Sequence, residues 1–295
     1  MERLRVVSWG ELVWDTFADT RRLGGAAANV AYHAAVLGAH ASLISRVGDD
    51  EPGRAARGAL AARGVETTLV QVDPERPTGR VEVATIDGEP RYQIAEQAAW
   101  DRIAFDADAR AAVLRADVLV YGTLAQRTVL GRGALAEALA AAPARCLRLC
   151  DLNVRPPFDT REVIDEAIRH ASAVKLNEAE AARLVAATGA SDAVDYLLAR
   201  GVGLVALTRG AAGALLASPR ERLESAGVAV STADGDAVGA GDAFSAVIAH
   251  LWPRGAGLAE LGARANRYAG FVASRRGAMP EIPNDLARAI TRAGA

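Results

Sequence analysis

Short apolar segments alternate with alanine-rich helical segments along most of this sequence, and this alternation limits the possible folds more than any other feature. The candidate strands are Leu4–Val7, Ala41–Val47, Val118–Tyr121, Cys146–Asp151, Ala173–Leu176 and Val202–Thr208. Helical periodicity marks the segments between them, such as Arg54–Arg63, Ala134–Ala142 and Glu178–Ala187. Continuously apolar strands separated by helices predict an α/β fold, with a mostly parallel central sheet covered by helices on both faces.

Residues 68–96 interrupt this alternation. Thr78–Ile86 alternates polar residues with Val and Ala, and Asp87-Gly88 is a typical hairpin turn before Arg91–Ile94. Alternation of this kind indicates strands with one buried face. Together with Glu11–Phe17, these segments predict a small β-strand lid, contributed by about 11–22 and 68–100, on a single domain spanning 1–295. An ordinary hairpin decoration is the alternative.

Charge and segment composition exclude several classes of partner. The chain has 34 basic and 36 acidic residues, so it offers no electrostatic footprint for nucleic acid. The N-terminal segment lacks the features of a secretion signal, and no apolar run approaches the roughly 20 residues that span a bilayer. Cys146 and Cys150 form neither a CxxC motif nor a disulfide framework, and reduced buried thiols are expected. We therefore expect a cytoplasmic protein with no nucleic-acid or membrane partner.

The basic residues are almost all arginine, because Lys175 is the only lysine. A glycine-rich loop that ends in Lys-Ser or Lys-Thr is absent, which excludes a P-loop enzyme. The histidines show no metal-ligand spacing and are interpreted as packing or surface residues; they are His33, His40, His170 and His250.

A glycine-rich turn carries the strongest chemical signal. Asp236-Ala-Val-Gly-Ala-Gly-Asp242 precedes a helical segment, Ala243–Leu251. Gly239, Ala240 and Gly241, with the helix N-terminus behind them, predict an anion hole for a phosphoryl group. The helix dipole favours an ionised Asp242, which can take the proton of an attacking hydroxyl as catalytic base. The alternatives are a simple helix cap and a dinucleotide-binding turn, and Phe244 at the third glycine position disfavours the latter.

Further motifs lie in order along the chain. They are Gly24-Gly-Ala-Ala-Ala-Asn29, Leu37-Gly38, Ser45-Arg-Val-Gly48-Asp-Asp50, Asp151-Leu-Asn153-Val-Arg155-Pro, Lys175-Leu-Asn177-Glu-Ala-Glu180 and Leu207-Thr208-Arg-Gly210-Ala-Ala-Gly213. With the glycine-rich turn, they resemble the motifs of the ribokinase-like (phosphofructokinase-B type) carbohydrate kinases over nearly the whole chain. The resemblance implies a three-layer sandwich, ATP and Mg²⁺ as cofactors, and Asp242 as catalytic base.

The resemblance also implies substrate-binding residues. It favours contact with the acceptor for Asp15, Gly25 and Asn29, and one carboxylate suits a polyol because it accepts from two adjacent hydroxyls. Arg155 is placed with them, to hold a phosphate or an acidic group of the substrate. A surface salt bridge is the alternative for Arg155, and capping is the alternative for Asn29.

On the nucleotide side, the resemblance implies that the NxxE motif of Asn177 and Glu180 supports Mg²⁺ through waters and the phosphates. The same pair is a capping box in its own right, and both interpretations can hold together. Residues assigned to the phosphates, ribose and adenine of ATP are Thr208, Gly210, Gly213 and Asn266. Asp236 resembles the residue that borders the monovalent-cation site of some members, which would make K⁺ a cofactor.

Two positions depart from the family pattern, and neither removes a residue needed for the chemistry. Ala27 stands where the family usually has proline, which loosens a loop slightly. Ala237 stands where it usually has threonine, which removes a hydroxyl beside the anion hole.

The sequence favours ATP-dependent phosphorylation of a sugar hydroxyl, and the resemblance points to the fructokinase-like members. Ribose, 2-keto-3-deoxygluconate or a nucleoside as acceptor stays open, as does a non-catalytic sugar-binding regulator. The lid is expected to determine which acceptor binds. Its candidate contacts to the acceptor are Tyr92, Gln93, Gln97, Trp100 and Asp101. Exposed lid edges also predict a homodimer.

Overall fold

The computed structural model describes residues 2–17, 20–86, 89–231 and 235–292, and only the backbone of 83–86 and 89–92. The strands are β1 (Arg5–Trp9), β2 (Val13–Thr16), β3 (Arg21–Gly24), β4 (His40–Gly48), β5 (Val70–Asp73), β6 (Gly79–Ile86), β7 (Glu89–Ile94), β8 (Val118–Tyr121), β9 (Leu147–Asp151), β10 (Ala173–Asn177), β11 (Leu204–Thr208), β12 (Gly213–Ala217) and β13 (Arg222–Ala226). The helices are α1 (Ala26–Val36), α2 (Glu51–Ala61), α3 (Ala107–Val113), α4 (Val129–Ala141), α5 (Arg161–Arg169), α6 (Glu178–Thr188), α7 (Ala193–Ala199), α8 (Ala240–Leu251), α9 (Leu258–Ala273) and α10 (Asn284–Thr291).

The large sheet has nine strands in the order β13-β12-β11-β10-β9-β8-β1-β4-β5. Its strands from β11 to β5 run parallel, and β12 and β13 join as an antiparallel edge. All the strands predicted from apolar segments are neighbours in this sheet, so the predicted α/β class is confirmed.

Helices cover both faces of the sheet because successive strand residues point to opposite sides. Val118 and Val120 of β8 pack with apolar residues of α1, α8 and α9 on one face. Leu119 and Tyr121 pack on the other face, with residues of α4, α5, α6 and α7. Both faces of these strands are therefore buried, which explains their continuously apolar sequences.

A second, small sheet has the order β3-β2-β6-β7. Strand β2 pairs in antiparallel fashion with β3 and in parallel fashion with β6, and β6 pairs in antiparallel fashion with β7. A small sheet built from these two regions of the chain was predicted. The predicted turn residues Asp87 and Gly88 lie outside the described residues. Strands β3 and β7 are the edges of this sheet, and pairing through them into a homodimer stays a prediction.

Two parts of the lid prediction need correction. Strand β5 lies within 68–100 but pairs with β4 at the edge of the large sheet. Trp100 and Asp101 were considered as lid contacts to the acceptor, but both are buried. Arg127 donates two hydrogen bonds to the Asp101 carboxylate, and its guanidinium lies 3.9 Å from the centre of the Trp100 ring. These side chains therefore anchor the segment after the lid to the core.

Cys146 and Cys150 are free and buried, as expected. Across residues 2–292, apart from the three short gaps given above, no helix is long and apolar enough to span a membrane.

Candidate active site

A cavity of about 460 Å³ opens at the carboxyl ends of the parallel strands, between the small sheet and the first turn of α8. Ligands of open α/β sheets bind at this edge. The cavity brings together most of the site residues expected from the sequence: Asp15, Gly25, Asn29, Arg155, Asn177, Glu180, Asp236, Gly239, Gly241 and Asp242.

The glycine-rich turn leads into α8 with its backbone amides unoccupied by any side-chain cap. Gly239 is the N-cap residue and has φ = 79°, a left-handed conformation that favours glycine. A Cβ atom at Gly239 would also lie 2.6 Å from the Cα of Ala278. Asp242 sits in the first turn of α8 but does not cap it, so the alternative of a simple helix cap is wrong. The N–H of Ala240 donates to the carbonyl oxygen of Ala237 over 3.3 Å. The N–H of Gly241, which lines the cavity, has no partner in the described structure, as an anion hole requires.

The Asp242 carboxylate is held by Asn29 of α1, whose Nδ2 donates to Oδ2 over 2.7 Å. Burial, and next the neighbouring carboxylate of Asp151, raise the pKa of Asp242 to about 7, although Lys175 and Asn29 favour the charged form. The helix dipole predicts an ionised group, whereas burial and the like charge of Asp151 favour the protonated form. A carboxylate with a pKa near neutrality matches the work of a general base.

Lys175, which the sequence analysis did not assign to the site, lies beneath the glycine-rich turn. Its Nζ is 3.0 Å from Oδ1 of Asp151, and the other oxygen of Asp151 accepts a hydrogen bond from Ser245 over 2.7 Å. A Cβ atom at Gly241 would lie 2.6 Å from this Nζ. Burial disfavours the charged lysine, but Asp151, Glu180 and Asp242 together outweigh it and raise the pKa of Lys175. The site thus contains a fixed, buried cation next to the anion hole.

Two further carboxylates lie where the small sheet meets the cavity. Burial raises the pKa of Asp15 to about 6, although Arg155 and Arg22 favour its charged form. Within the described residues, the Asp15 carboxylate has no hydrogen-bond or ion-pair partner. Burial also raises the pKa of Glu11, which accepts a hydrogen bond from the backbone N–H of Ala26 over 2.8 Å at the start of α1.

Asn29 also lines this cavity, and the oxygen of its side-chain amide is an acceptor without a partner among the described residues. Its Oδ1 is buried and has no hydrogen-bond partner in the described structure, while its Nδ2 is committed to Asp242. A buried acceptor without a partner is costly, and a donor from a ligand would remove that cost. With Asp15, it forms an acceptor-rich wall that suits the hydroxyl groups of a polyol.

Comparison with known proteins fits this geometry. The sequence pattern described as pfkB family carbohydrate kinase matches residues 2–285. The chain belongs to this family. The bifunctional protein HldE of Caulobacter vibrioides is 34% identical over 88% of this chain and 53% of its own length. The chain therefore spans about half of that relative.

Other similar proteins match over most of their length. A fructokinase of Vibrio alginolyticus is 28% identical, over 88% of each chain. The crystal structure of an uncharacterized sugar kinase from Pyrococcus horikoshii in complex with ATP superposes with a TM-score of 0.81 at 26% identity, covering 97% of this chain and 99% of that one. The ribokinase-like fold and membership of a family of carbohydrate kinases are thus established.

In this pfkB family kinase, the predicted magnesium motif is also a capping box. The Asn177 side chain accepts from the backbone N–H of Glu180, and the Glu180 carboxylate accepts from the backbone N–H of Asn177, both over 2.9 Å. Burial raises the pKa of Glu180, while Lys175 counteracts this effect. Both residues line the cavity, so the cap holds them in its wall. Among the residues placed in the structure, no group of three His, Cys, Asp or Glu side chains forms a metal cage.

The Asp236 carboxylate, considered for a monovalent cation, is already engaged. It accepts hydrogen bonds from the backbone N–H groups of Gly277, at 2.9 and 3.0 Å, and of Val238, at 3.2 Å. Arg22 of β3 adds an ion pair at 3.0 Å. This pair links the small sheet directly to the loop that precedes the anion hole.

The remaining nucleotide-side residues lie outside this cavity. Thr208 pairs with Asn177 at the ends of β11 and β10, and Gly210 begins the turn after β11. Gly213 packs so tightly that a Cβ atom there would lie 2.1 Å from the carbonyl oxygen of Ser225. Asn266 is buried, not an exposed helix residue, and its Nδ2 donates to the carbonyl oxygens of Ser225 and Ala226.

Proposed function

We propose that this pfkB family kinase transfers the γ-phosphoryl group of ATP to a hydroxyl of a sugar, with fructose as the first acceptor to test. The observation that carries the proposal is the Asp242 carboxylate, held by Asn29 and raised to a pKa of about 7, beside the free amides of α8. A base and an anion hole that share one cavity suit the attack of a hydroxyl on a phosphoryl group.

In the proposed reaction, Asp242 takes the proton of the acceptor hydroxyl as its oxygen forms a bond to the γ-phosphorus. The bond from that phosphorus to the β–γ bridging oxygen breaks, and ADP leaves with the electron pair. The amides of Gly241 and its neighbours and the Lys175 ammonium stabilise the negative charge on the transferring group. Asn29 keeps the base in position throughout.

The residues present also fit a magnesium ion on the nucleotide phosphates. Mg²⁺ prefers oxygen ligands, keeps several waters and needs few carboxylates, and Glu180 and Asn177 supply oxygens at this side of the cavity. When bound, it neutralises charge on the phosphates. We infer a role for Glu180 through water, because the capping box already uses one of its oxygens.

The adenine base is assigned to a neighbouring cavity of about 570 Å³ between α9 and the segment after β13, lined in part by Val230, Arg267 and Phe271. Asn266 fastens α9 to β13 beside this cavity and positions its walls. Thr208, which pairs with Asn177, and Gly210, in the turn that follows, are assigned to the phosphates and ribose.

The wall of the first cavity favours a sugar over a nucleoside. Its larger apolar side chains are all aliphatic: Val13, Val81, Ile94, Leu124 and Val238. Among the side chains that the structure describes, no aromatic ring lines this cavity, and the side chain of Tyr92 lies outside the described residues. Asp15, Glu11 and Asn29 offer oxygens, which a sugar's hydroxyl groups match well.

A panel of acceptors tests the proposal. Purified protein with ATP and Mg²⁺ is expected to release ADP with fructose at a higher kcat/KM than with ribose, 2-keto-3-deoxygluconate or adenosine. Chelating Mg²⁺ should abolish turnover, and exchanging Na⁺ for K⁺ tests the predicted potassium requirement. A higher kcat/KM with another acceptor would move the assignment to that substrate. Calorimetric binding of sugars with no ADP release from any of them would instead support a sugar-binding regulator.

Replacing Asp15 with alanine is expected to raise the KM for the sugar by at least about tenfold, with little change in the KM for ATP. The reason is the loss of a buried carboxylate that accepts from hydroxyls, each such bond contributing about 1.5–3 kcal/mol. In the unmodified protein, sugar affinity should fall as the pH drops through about 6, because Asp15 becomes protonated. Steady-state kinetics of the Asp15→Ala variant measures the change in sugar KM. Glu82→Gln, an exposed substitution on β6 of the same sheet, is the control. An unchanged sugar KM in the alanine variant would remove Asp15 from the acceptor site.

A further inference from the structure

A separate cavity of about 520 Å³ lies beside the proposed acceptor site, between the small sheet and the segment after α9. It shares Asp15, Asp236 and Val238 with the first cavity, so the two spaces meet at this wall. Its lining includes four arginines from different parts of the chain: Arg21, Arg22, Arg63 and Arg276.

These arginines outnumber the acidic residues that face them. The carboxylates lining the same cavity are Asp15 and Asp236. Arg22 is paired with Asp236, and Arg21 donates two hydrogen bonds to Glu51, at 3.0 and 3.1 Å.

The other two arginines have no acidic partner among the described residues. Arg63 donates to a backbone carbonyl oxygen, that of Ala59, over 2.8 Å. Arg276 has neither a hydrogen bond nor an ion pair in the described structure. Among the described residues, the carboxylates around this cavity therefore do not neutralise all of its positive charge.

Two aromatic rings orient the paired arginines. The Arg21 guanidinium lies 4.7 Å from the ring centre of Trp14, and that of Arg22 lies 5.0 Å from the ring centre of Phe17. Stacking of this kind fixes the plane of a guanidinium. Because Glu51 and Asp236 already accept from these two arginines, the rings hold them as fixed positive charges in the cavity wall. The Trp14 ring is itself held by a hydrogen bond from its Nε1 to the carbonyl oxygen of Pro52.

We propose that this arginine-lined cavity binds a phosphomonoester dianion. Arginine forks and unneutralised charge in one concave space are the features that recognise phosphate. The phosphate has two chemical sources: the far end of a phosphorylated sugar whose reacting hydroxyl lies at Asp242, or a separate phosphorylated effector. The first source rests on the proposed function and the second does not.

Binding is measured by calorimetry in the absence of ATP, with glucose 6-phosphate and glucose as probes. The protein is expected to bind the phosphate ester at least about tenfold more tightly than the free sugar at low ionic strength, and added salt should weaken this preference. The double variant Arg63→Ala/Arg276→Ala should lose the preference. The matched control Arg115→Ala/Arg220→Ala removes the same charge at two exposed positions, one shortly before β8 and one shortly after β12. This control should keep the preference for the phosphate ester. Equal affinities for the two probes, or equal effects of the two double variants, would overturn the proposal.

Turnover separates the two sources. If the phosphate is the far end of the acceptor, the phosphorylated sugar should give a higher kcat/KM for ADP release than the free sugar. The double variant Arg63→Ala/Arg276→Ala should then lower the kcat/KM for the phosphorylated sugar. If the phosphate belongs to an effector, inorganic phosphate changes the rate with the free sugar in the unmodified protein but not in that variant. Because binding is measured without ATP, absence of ADP release from every acceptor would contradict the proposed function and not the anion site.

Discussion

Replacing Asp242 with asparagine is expected to lower kcat by about 10²–10⁴-fold, the range that general base catalysis contributes. The side chain keeps its size and its contact with Asn29, but it can no longer take the proton of the acceptor hydroxyl. The affinities for ATP and sugar should change little, because the substituted group acts on the transferred proton. Steady-state ADP release, with calorimetry for the two substrates, measures both effects.

The pH dependence gives this prediction a second readout. In the unmodified enzyme kcat/KM should rise with pH through about 7, because Asp242 is active in its deprotonated form and its pKa is raised to that value. The asparagine variant should lack this rise. If kcat/KM of the asparagine variant still rose with pH through about 7, a group other than Asp242 would be the base.

Thermal unfolding separates lost chemistry from lost folding. A carboxyl group whose folded pKa is raised from 3.8 to about 7 stabilises the fold only when protonated, so its contribution is lost as the pH rises through 7. The asparagine variant should therefore be slightly more stable than the unmodified protein at pH 8, with the difference shrinking towards pH 4. Asp108→Asn, an exposed substitution in the first turn of α3, should leave turnover unchanged and lower the stability by at most about 1 kcal/mol at pH 8. An inactive asparagine variant that melts earlier at pH 8 would count against the assigned role.

Local sequence patterns carried the prediction of the large sheet because strands buried on both faces must be apolar throughout. The glycine-rich turn and the capping box of Asn177 and Glu180 were likewise predictable, since each depends on residues close together in the chain. Strand β5 was misassigned for the converse reason. It is an edge strand with the sequence Val-Gln-Val-Asp, and its polar alternation is the same as that of a lid strand.

Features that depend on distant partners were not visible in the sequence. An aromatic and an acidic residue such as Trp100 and Asp101 are typical ligand contacts. Only the fold shows that Arg127 stacks on Trp100 and forms an ion pair with Asp101. The helix dipole predicts an ionised Asp242, and only the fold shows that this side chain is buried and lies near Asp151, the two causes that raise its pKa. Lys175 did give a signal: a lone lysine inside an apolar strand is costly to bury unless it is paired. That signal could have placed it at the site.

Replacing Lys175 with methionine is expected to lower kcat by about 10²-fold or more, because it removes the fixed cation beside the transferring phosphoryl group. It should also raise the apparent pKa in the pH profile above 7, since Lys175 is one of the groups that favours the charged form of Asp242. Arginine is not expected to rescue the activity. A Cβ atom added at Gly241 would lie 2.6 Å from the Nζ of Lys175, so the turn leaves no room here for the larger guanidinium.

The methionine variant also leaves the buried Asp151 carboxylate without its ion-pair partner, at a cost of about 3–5 kcal/mol in folding free energy. The double variant Asp151→Asn/Lys175→Met removes both charges, so it should regain most of that stability. It should also bring the apparent pKa back towards 7, because Asp151 raises the pKa of Asp242 while Lys175 lowers it. Turnover should nevertheless stay low, since the phosphoryl group still lacks its cation. If kcat returned to the unmodified value along with the stability, Lys175 would be an ion-pair partner for the fold and not a part of phosphoryl transfer.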